Sequence, residues 1–176
     1  LEFSYLPLML KNLTYDQICH EHVTYYNLSV FKKIAENNNL KILNVKFNEI
    51  NGGSVEIICS KKISKYKSKD KLINDILKDE KKINMNSYFK FNKRINKVRE
   101  NLKLFFKKNK KKRTIGYGAS TKGNIILNQC SVTNKDLSYI CDANKFKFNK
   151  YTPGTNIKII SKEKMRVLNP HFLLVL

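Results

Sequence analysis

The chain has 176 residues, 41% of them hydrophobic, and a formal net charge of +21 at pH 7. This apolar content suffices for a packed core and excludes disorder on composition. No apolar run approaches the roughly 18 residues that a membrane helix needs, which excludes a transmembrane span.

Residues Leu1 to Leu10 read as the end of a strand running into a helix or loop. The segment Ile18-Cys19-His20-Glu21-His22-Val23-Thr24-Tyr25-Tyr26 then falls in a connection. Ser29 is the expected cap of a helix through about Asn38, with Phe31, Ile34 and Ala35 facing inward. Leu40 to Phe47 alternates as a strand. Asn51-Gly52-Gly53 signals a turn, and Val55 to Cys59 reads as a second strand antiparallel to the first. The lysine- and serine-rich stretch 61–69 is the linker expected between two domains. Tyr88, Phe91, Ile95, Val98, Leu102 and Phe105 recur at helical spacing, so one long amphipathic helix is predicted, with its lysines on the opposite face.

From Arg113 onward the pattern changes to alternating β and α units. Strands are predicted at Arg113–Tyr117, Leu137–Cys141, Ile157–Ile160 and Phe172–Leu176. Helices are predicted over roughly 122–130 and 162–167, the second capped by Ser161. Such alternation specifies a parallel sheet with helices on its faces. Phe172–Leu176 stops within a strand and Leu1 opens abruptly, so the chain reads as a fragment truncated at both ends.

The charge is unevenly placed. Between Lys61 and Arg113 there are 21 Lys and Arg against 5 Asp and Glu. The chain's basic residues are 31 Lys and only 4 Arg, beside 22 Asn. Arginine is favoured for bidentate reading of phosphates and bases, so this pattern argues against specific nucleic-acid recognition. Non-specific attraction of polyanions at low salt is expected. The four cysteines form no C-x-x-C pair, and reduced thiols with cytoplasmic residence are expected.

Three segments carry chemistry. The first sets two of the three histidines, His20 and His22, around Glu21, with Tyr25 and Tyr26 close behind. Imidazole titrates near neutrality and a neighbouring carboxylate can orient it, so the cluster is a candidate proton-transfer site. No further ligand follows at a familiar zinc spacing, and no metal site is expected. The second is Gly116-Tyr117-Gly118-Ala119, running into Lys122-Gly123-Asn124. A strand, a Gly-x-Gly turn and a helix present backbone N–H groups and a helix dipole to a phosphate. Lys122 can add a cation, and Asp142 ends the next strand where an acid of a dinucleotide fold would meet a ribose hydroxyl. The dinucleotide fingerprint is incomplete, because Thr121 stands where its third glycine belongs and Gly123 comes two residues late. The third segment is Thr152-Pro153-Gly154-Thr155.

In this order the three segments, with Asn51-Gly52-Gly53-Ser54, resemble the sugar C-methyltransferases, where Tyr-His-Glu-His, Gly-Tyr-Gly-Ala-x-x-Lys-Gly-Asn and Thr-Pro-Gly-Thr segments recur. The likeness runs through nearly the whole chain. It implies an α/β fold: residues 1–60 as the last third of a class I methyltransferase domain, then a Rossmann-like C-terminal domain over 70–176. The implied activity is methylation of the carbon beside the ketone of a nucleotide-diphosphate-linked sugar, with S-adenosylmethionine as cofactor, bound mainly by residues missing from this chain. The missing N-terminal portion would then be a partner. His22 matches the base, Glu21 would orient it, and His20 would support the loop. The family's tyrosine before the first histidine is Cys19 here, leaving Tyr25 or Tyr26 to serve the developing oxyanion. Gly116, Tyr117, Gly118, Ala119, Lys122, Gly123, Asn124, Asp142, Thr152, Pro153 and Gly154 would bind the nucleotide sugar. His171 is read as structural. The alternative is a basic binding module that kept the fold without catalysis.

Overall fold

The computed structural model describes residues 1–176. It divides into two compact units, Leu1–Tyr15 with His22–Arg94, and Asp16–Glu21 with Ile95–Leu176. The division falls within a helix at Arg94 and Ile95, whereas the linker was expected at 61–69. Those residues lie inside the first unit, where the Lys69 N–H donates to the Leu43 carbonyl and the Ser68 hydroxyl to that of Ile42.

In the first unit β1 (Glu2–Ser4), β2 (Leu40–Asn48) and β3 (Ser54–Lys61) form an antiparallel sheet of order β1-β3-β2. The Asn51-Gly52-Gly53 turn joins β2 to β3 as its composition predicts. Helices α1 (Leu6–Asn12), α2 (Leu28–Asn37) and α3 (Asp70–Glu80) complete the unit with the first part of α4 (Met85–Lys108). The core gathers Leu28, Val55 and Ile57, none more than 1% exposed, with Tyr5, Ile42, Val45 and Ile73. Burying each such aliphatic side chain contributes about 1.5–3 kcal/mol.

The cap of α2 is Asn27, whose side chain accepts from the Val30 N–H at 3.0 Å, and Ser29 lies inside the helix. Leu28 and Ala35 are buried, but Ile34 is 41% exposed. In β2 a bulge between Ile42 and Asn44 breaks strict alternation. It turns Ile42 and Val45, three residues apart, to the same inward face.

In the second unit β4 (Thr114–Tyr117), β5 (Tyr139–Cys141), β6 (Lys158–Ile160) and β7 (Phe172–Val175) form a wholly parallel sheet of order β6-β5-β4-β7. Helix α5 (Thr121–Gln129) follows β4 and α6 (Lys162–Leu168) follows β6. Ser161 caps α6 by accepting from the Lys164 N–H. Leu127, Leu137, Ile140 and Ile157 are fully buried, and Val98, Leu102 and Phe106 of α4 pack against them. Val98 and Leu102 of the predicted stripe therefore face the core and Ile95 is buried, but Tyr88 is exposed and Phe106 joins the cluster where Phe105 was expected. Phe105 instead stacks edge-on against Phe172, with ring centroids 5.2 Å apart. The strand order reverses between β4 and β7. In open parallel sheets ligands bind outside the carboxyl ends of the strands at such a switch point. β7 pairs with β4 on one side, and Leu173 and Val175 are exposed. His171 just before it accepts from the Arg113 N–H through Nδ1 at 3.1 Å, a contact that pins the start of the strand.

Candidate functional site

At the carboxyl end of β4, the residues 118–120 turn the chain into α5. The Gly118 N–H donates to the Cys141 carbonyl at 2.7 Å, tying the turn to β5. Ser120 caps α5 by accepting from the Gly123 N–H at 2.9 Å. Gly123 takes the close-approach role of the missing third glycine. A Cβ there would lie 2.9 Å from the Cβ of Leu176 and 3.2 Å from the Gly118 carbonyl oxygen. Lys122 lies in the first turn of α5, with Asn124 after it.

Asp142 is drawn into this loop. Its carboxylate accepts from the Ala119 N–H at 2.8 Å, from the Asn144 N–H at 2.8 Å and from Lys147 Nζ at 3.2 Å. Lys147 also donates to the Ala119 carbonyl at 2.8 Å. Partial burial opposes ionisation of Asp142, but the two backbone donors and the Lys147 ammonium outweigh it and hold the carboxyl below its usual range. The acid expected at a ribose therefore serves first as a clamp that sets the glycine turn against β5. Lys147 escaped the sequence reading, although a cation five residues past an acid was its visible signal.

The Thr152-Pro153-Gly154-Thr155 segment forms a tight turn. Thr152 Oγ1 lies 2.6 Å from Thr155 Oγ1 and accepts from the Ile157 N–H at 2.9 Å. Asn128 of α5 staples this turn to the helix, donating to the carbonyls of Pro153 at 3.1 Å and Asn124 at 2.8 Å. Nothing in the sequence marked Asn128. Gly154 has φ +76°, and a Cβ there would fall 2.1 Å from Asn128 Oδ1. Gly154→Ala should therefore cost about 1–3 kcal/mol in denaturant unfolding, from left-handed strain plus displacement of Asn128. Adding Asn128→Ala should return only the displacement part; strictly additive costs would show that the staple and the turn are independent.

The excursion 16–21 belongs to the second unit, so the first motif is divided: Cys19, His20 and Glu21 lie with the other two motifs, and His22, Tyr25 and Tyr26 lie in the first unit. Cys19 and His20 line a cavity of about 550 Å³ with Thr121, Asn124, Ile125 and Pro153. Thr121, Asn124 and Ile125 recur on one face of α5, which forms the cavity wall. The side-chain oxygen of Asn124 is buried without a hydrogen-bond partner. Glu21, expected to orient His22, stands 3.9 Å from His20 Nε2, and both of these side chains are largely exposed. His22 and Tyr25 belong to the first unit, where their rings meet edge to face with centroids 6.3 Å apart. Tyr26 packs its ring on Phe3 at 5.7 Å, and its carbonyl accepts from the Leu6 N–H, which makes it a packing residue. No group of three His, Cys, Asp or Glu side chains gathers in a way that could hold a metal ion.

A family model for the C-terminal domain of C-methyltransferases matches residues 49–176. The chain belongs to the C-methyltransferase family. It is also similar to the C-methyltransferase NovU of Streptomyces niveus, 26% identical over 180 residues. That alignment covers 99% of this chain and 43% of NovU, so the chain spans less than half the length of that relative. The family match begins just before β3 and includes the glycine turn, the Asp142 clamp and the Thr152–Thr155 turn of this C-methyltransferase chain. The histidine segment lies ahead of that match, within the span shared with NovU. No helix is long and apolar enough to cross a membrane.

Proposed function

We propose that this chain handles the acceptor in a methyltransferase that methylates the carbon beside the ketone of a nucleotide-diphosphate-linked sugar. The observation that carries this reading is the convergence of Cys19 and His20, the start of α5 and the Pro153 turn on one cavity. A helix N-terminus with Lys122 in its first turn suits a diphosphate, through the helix dipole and one cation. Asn124 adds an acceptor oxygen for a sugar or base donor. His22 removes the proton α to the ketone, and Tyr25 donates toward the enolate oxygen as charge develops there.

S-adenosylmethionine is the expected methyl donor, but the residues of this chain do not form its cradle. Gly52 and Gly53 sit against Thr14 and Leu8, where an added Cβ would meet those side chains at 2.3 and 2.8 Å. In the other glycine turn, the acid that would reach a ribose is held by three donors of its own unit. The steps assigned to this chain therefore end at the enolate. Cytoplasmic residence fits a soluble nucleotide-sugar substrate and belongs to the same proposal.

Lys122→Ala is the direct test. Affinity for uridine or thymidine diphosphate, measured by calorimetry, should fall by about 1–3 kcal/mol when a charged contact is lost. An unchanged affinity would make the Gly116–Gly123 turn a purely structural strand-to-helix connection.

A further inference from the structure

At the opposite, amino-terminal edge of the parallel sheet lies a second cavity, of about 460 Å³. Lys103, Lys107, Lys110 and Lys112, from the end of α4 and the turn beyond it, converge there with Lys135 from the loop before β5. None of these five ammonium groups takes part in an ion pair. Lys112 lies over the Phe172 ring, 5.4 Å from its centroid. Asp136, also at the cavity, is occupied elsewhere, accepting from the Thr133 N–H at 3.0 Å and from its hydroxyl at 3.3 Å.

The cavity has a fixed floor. Thr114, Cys130 and Val132 are buried beneath it. Beside them Ser131 is held at φ 54°, with its hydroxyl oxygen accepting from Arg99 at 3.3 Å. The carboxyl ends of α4 and α5 lie at this edge and contribute roughly half a negative charge each. Five lysines exceed that several-fold, so a helix-terminus role does not account for their number. We propose that this cavity binds a small oligophosphate anion carrying at least three negative charges.

The chemistry favours phosphate over other anions and a small ligand over a polymer. Lysine offers compact point charges on flexible stems that adapt to several phosphate oxygens, whereas carboxylates are better matched by the planar arginine fork. The volume lies within the range of about 300–1,000 Å³ common for ligand cavities. Phe106 is the one aromatic side chain at the cavity, and it is committed to the core, leaving no platform for stacking bases. The site lies at the sheet edge away from the glycine turn and does not depend on the sugar-nucleotide reading.

The test is calorimetry of the full chain with inorganic tripolyphosphate at about 150 mM salt, where exposed charges more than a Debye length apart are largely screened. Saturable one-to-one binding is expected. Lys107→Gln with Lys110→Gln should weaken it by about tenfold or more, as two charge-assisted contacts are lost. Lys65→Gln with Lys67→Gln removes the same charge from an exposed stretch of the first unit and should change affinity by less than about twofold. Equal weakening by both pairs would overturn the site in favour of bulk charge, as would the absence of saturable binding by the unsubstituted chain. An oligothymidylate that binds more tightly than tripolyphosphate, with the same dependence on Lys107 and Lys110, would also overturn it, assigning the cavity to a nucleic-acid backbone.

Discussion

His22→Ala should lower methyl transfer by about 10²- to 10⁴-fold in a catalytically active form of the protein, the usual range for loss of a general base. Nucleotide-sugar affinity should stay nearly unchanged, because a base acts mainly in the transition state and its removal falls on the rate. The half-buried His22 ring is held at 74° to that of Tyr25, so the imidazole has a preferred orientation before any ligand arrives. Tyr25→Phe keeps that ring contact and removes only the phenol. Its cost should therefore be smaller and should fall on stabilisation of the enolate oxygen. Glu21→Gln should cost least, since the contact of Glu21 with His20 is long and water-exposed. Hydrogen exchange between solvent and the carbon beside the ketone reports proton abstraction without methyl transfer. Exchange at the normal rate in the His22→Ala protein would remove His22 as the base and pass the role to Tyr25.

The elements of the second unit could be read from sequence to within one or two residues at each end, because each strand is a short apolar run. Gly116-x-Gly118, Ser161 and Pro153-Gly154 each announce a geometry that only a few backbone shapes satisfy. What sequence could not supply was association between distant segments. The excursion 16–21 has no composition that sends it to α5, and its convergence with Pro153 is set by the path of the chain around it. Asp142 shows the same gap from the other side. Its position after β5 pointed to a ribose, but local donors from Ala119, Asn144 and Lys147 reached the carboxylate first. In the first unit, strict alternation in Leu40–Phe47 failed at a bulge that no residue type marks. The division within α4 was hidden for a different reason. The stretch 61–69 is polar like a linker, yet its backbone is held by β2.

Glu80 carries the largest stability effect expected in the molecule, and nothing in its sequence context singles it out. It closes α3 and is only 7% exposed, and it takes part in no ion pair. Its carboxylate accepts from the Tyr5 hydroxyl and from the Leu28 and Ser29 N–H groups, the last at 2.9 Å. Those two N–H groups are the first of α2, where the helix dipole favours a negative charge. Glu80→Ala would strand two buried donors and one partly buried donor at once, and should destabilise the protein by about 3–5 kcal/mol in urea unfolding, from about 1–3 kcal/mol for each donor left unmade. Glu80→Gln keeps one acceptor oxygen but turns an amide donor toward the others, so its cost should be intermediate. Tyr5→Phe removes a single donor and should cost about 1–2 kcal/mol. Burial, reinforced by hydrogen bonding to Glu80, pushes the Tyr5 phenol well above its ordinary 10.0. The folded state thus retains a proton that the unfolded chain releases above that pH. The stabilising contribution is complete below about pH 10 and is lost as pH rises through the folded-state value. Tyr5→Phe should accordingly flatten the alkaline fall in stability as well as lower the plateau. A Glu80→Ala protein within about 0.5 kcal/mol of the unsubstituted chain, the range of ordinary surface substitutions, would show that the carboxylate does not hold α2 in place.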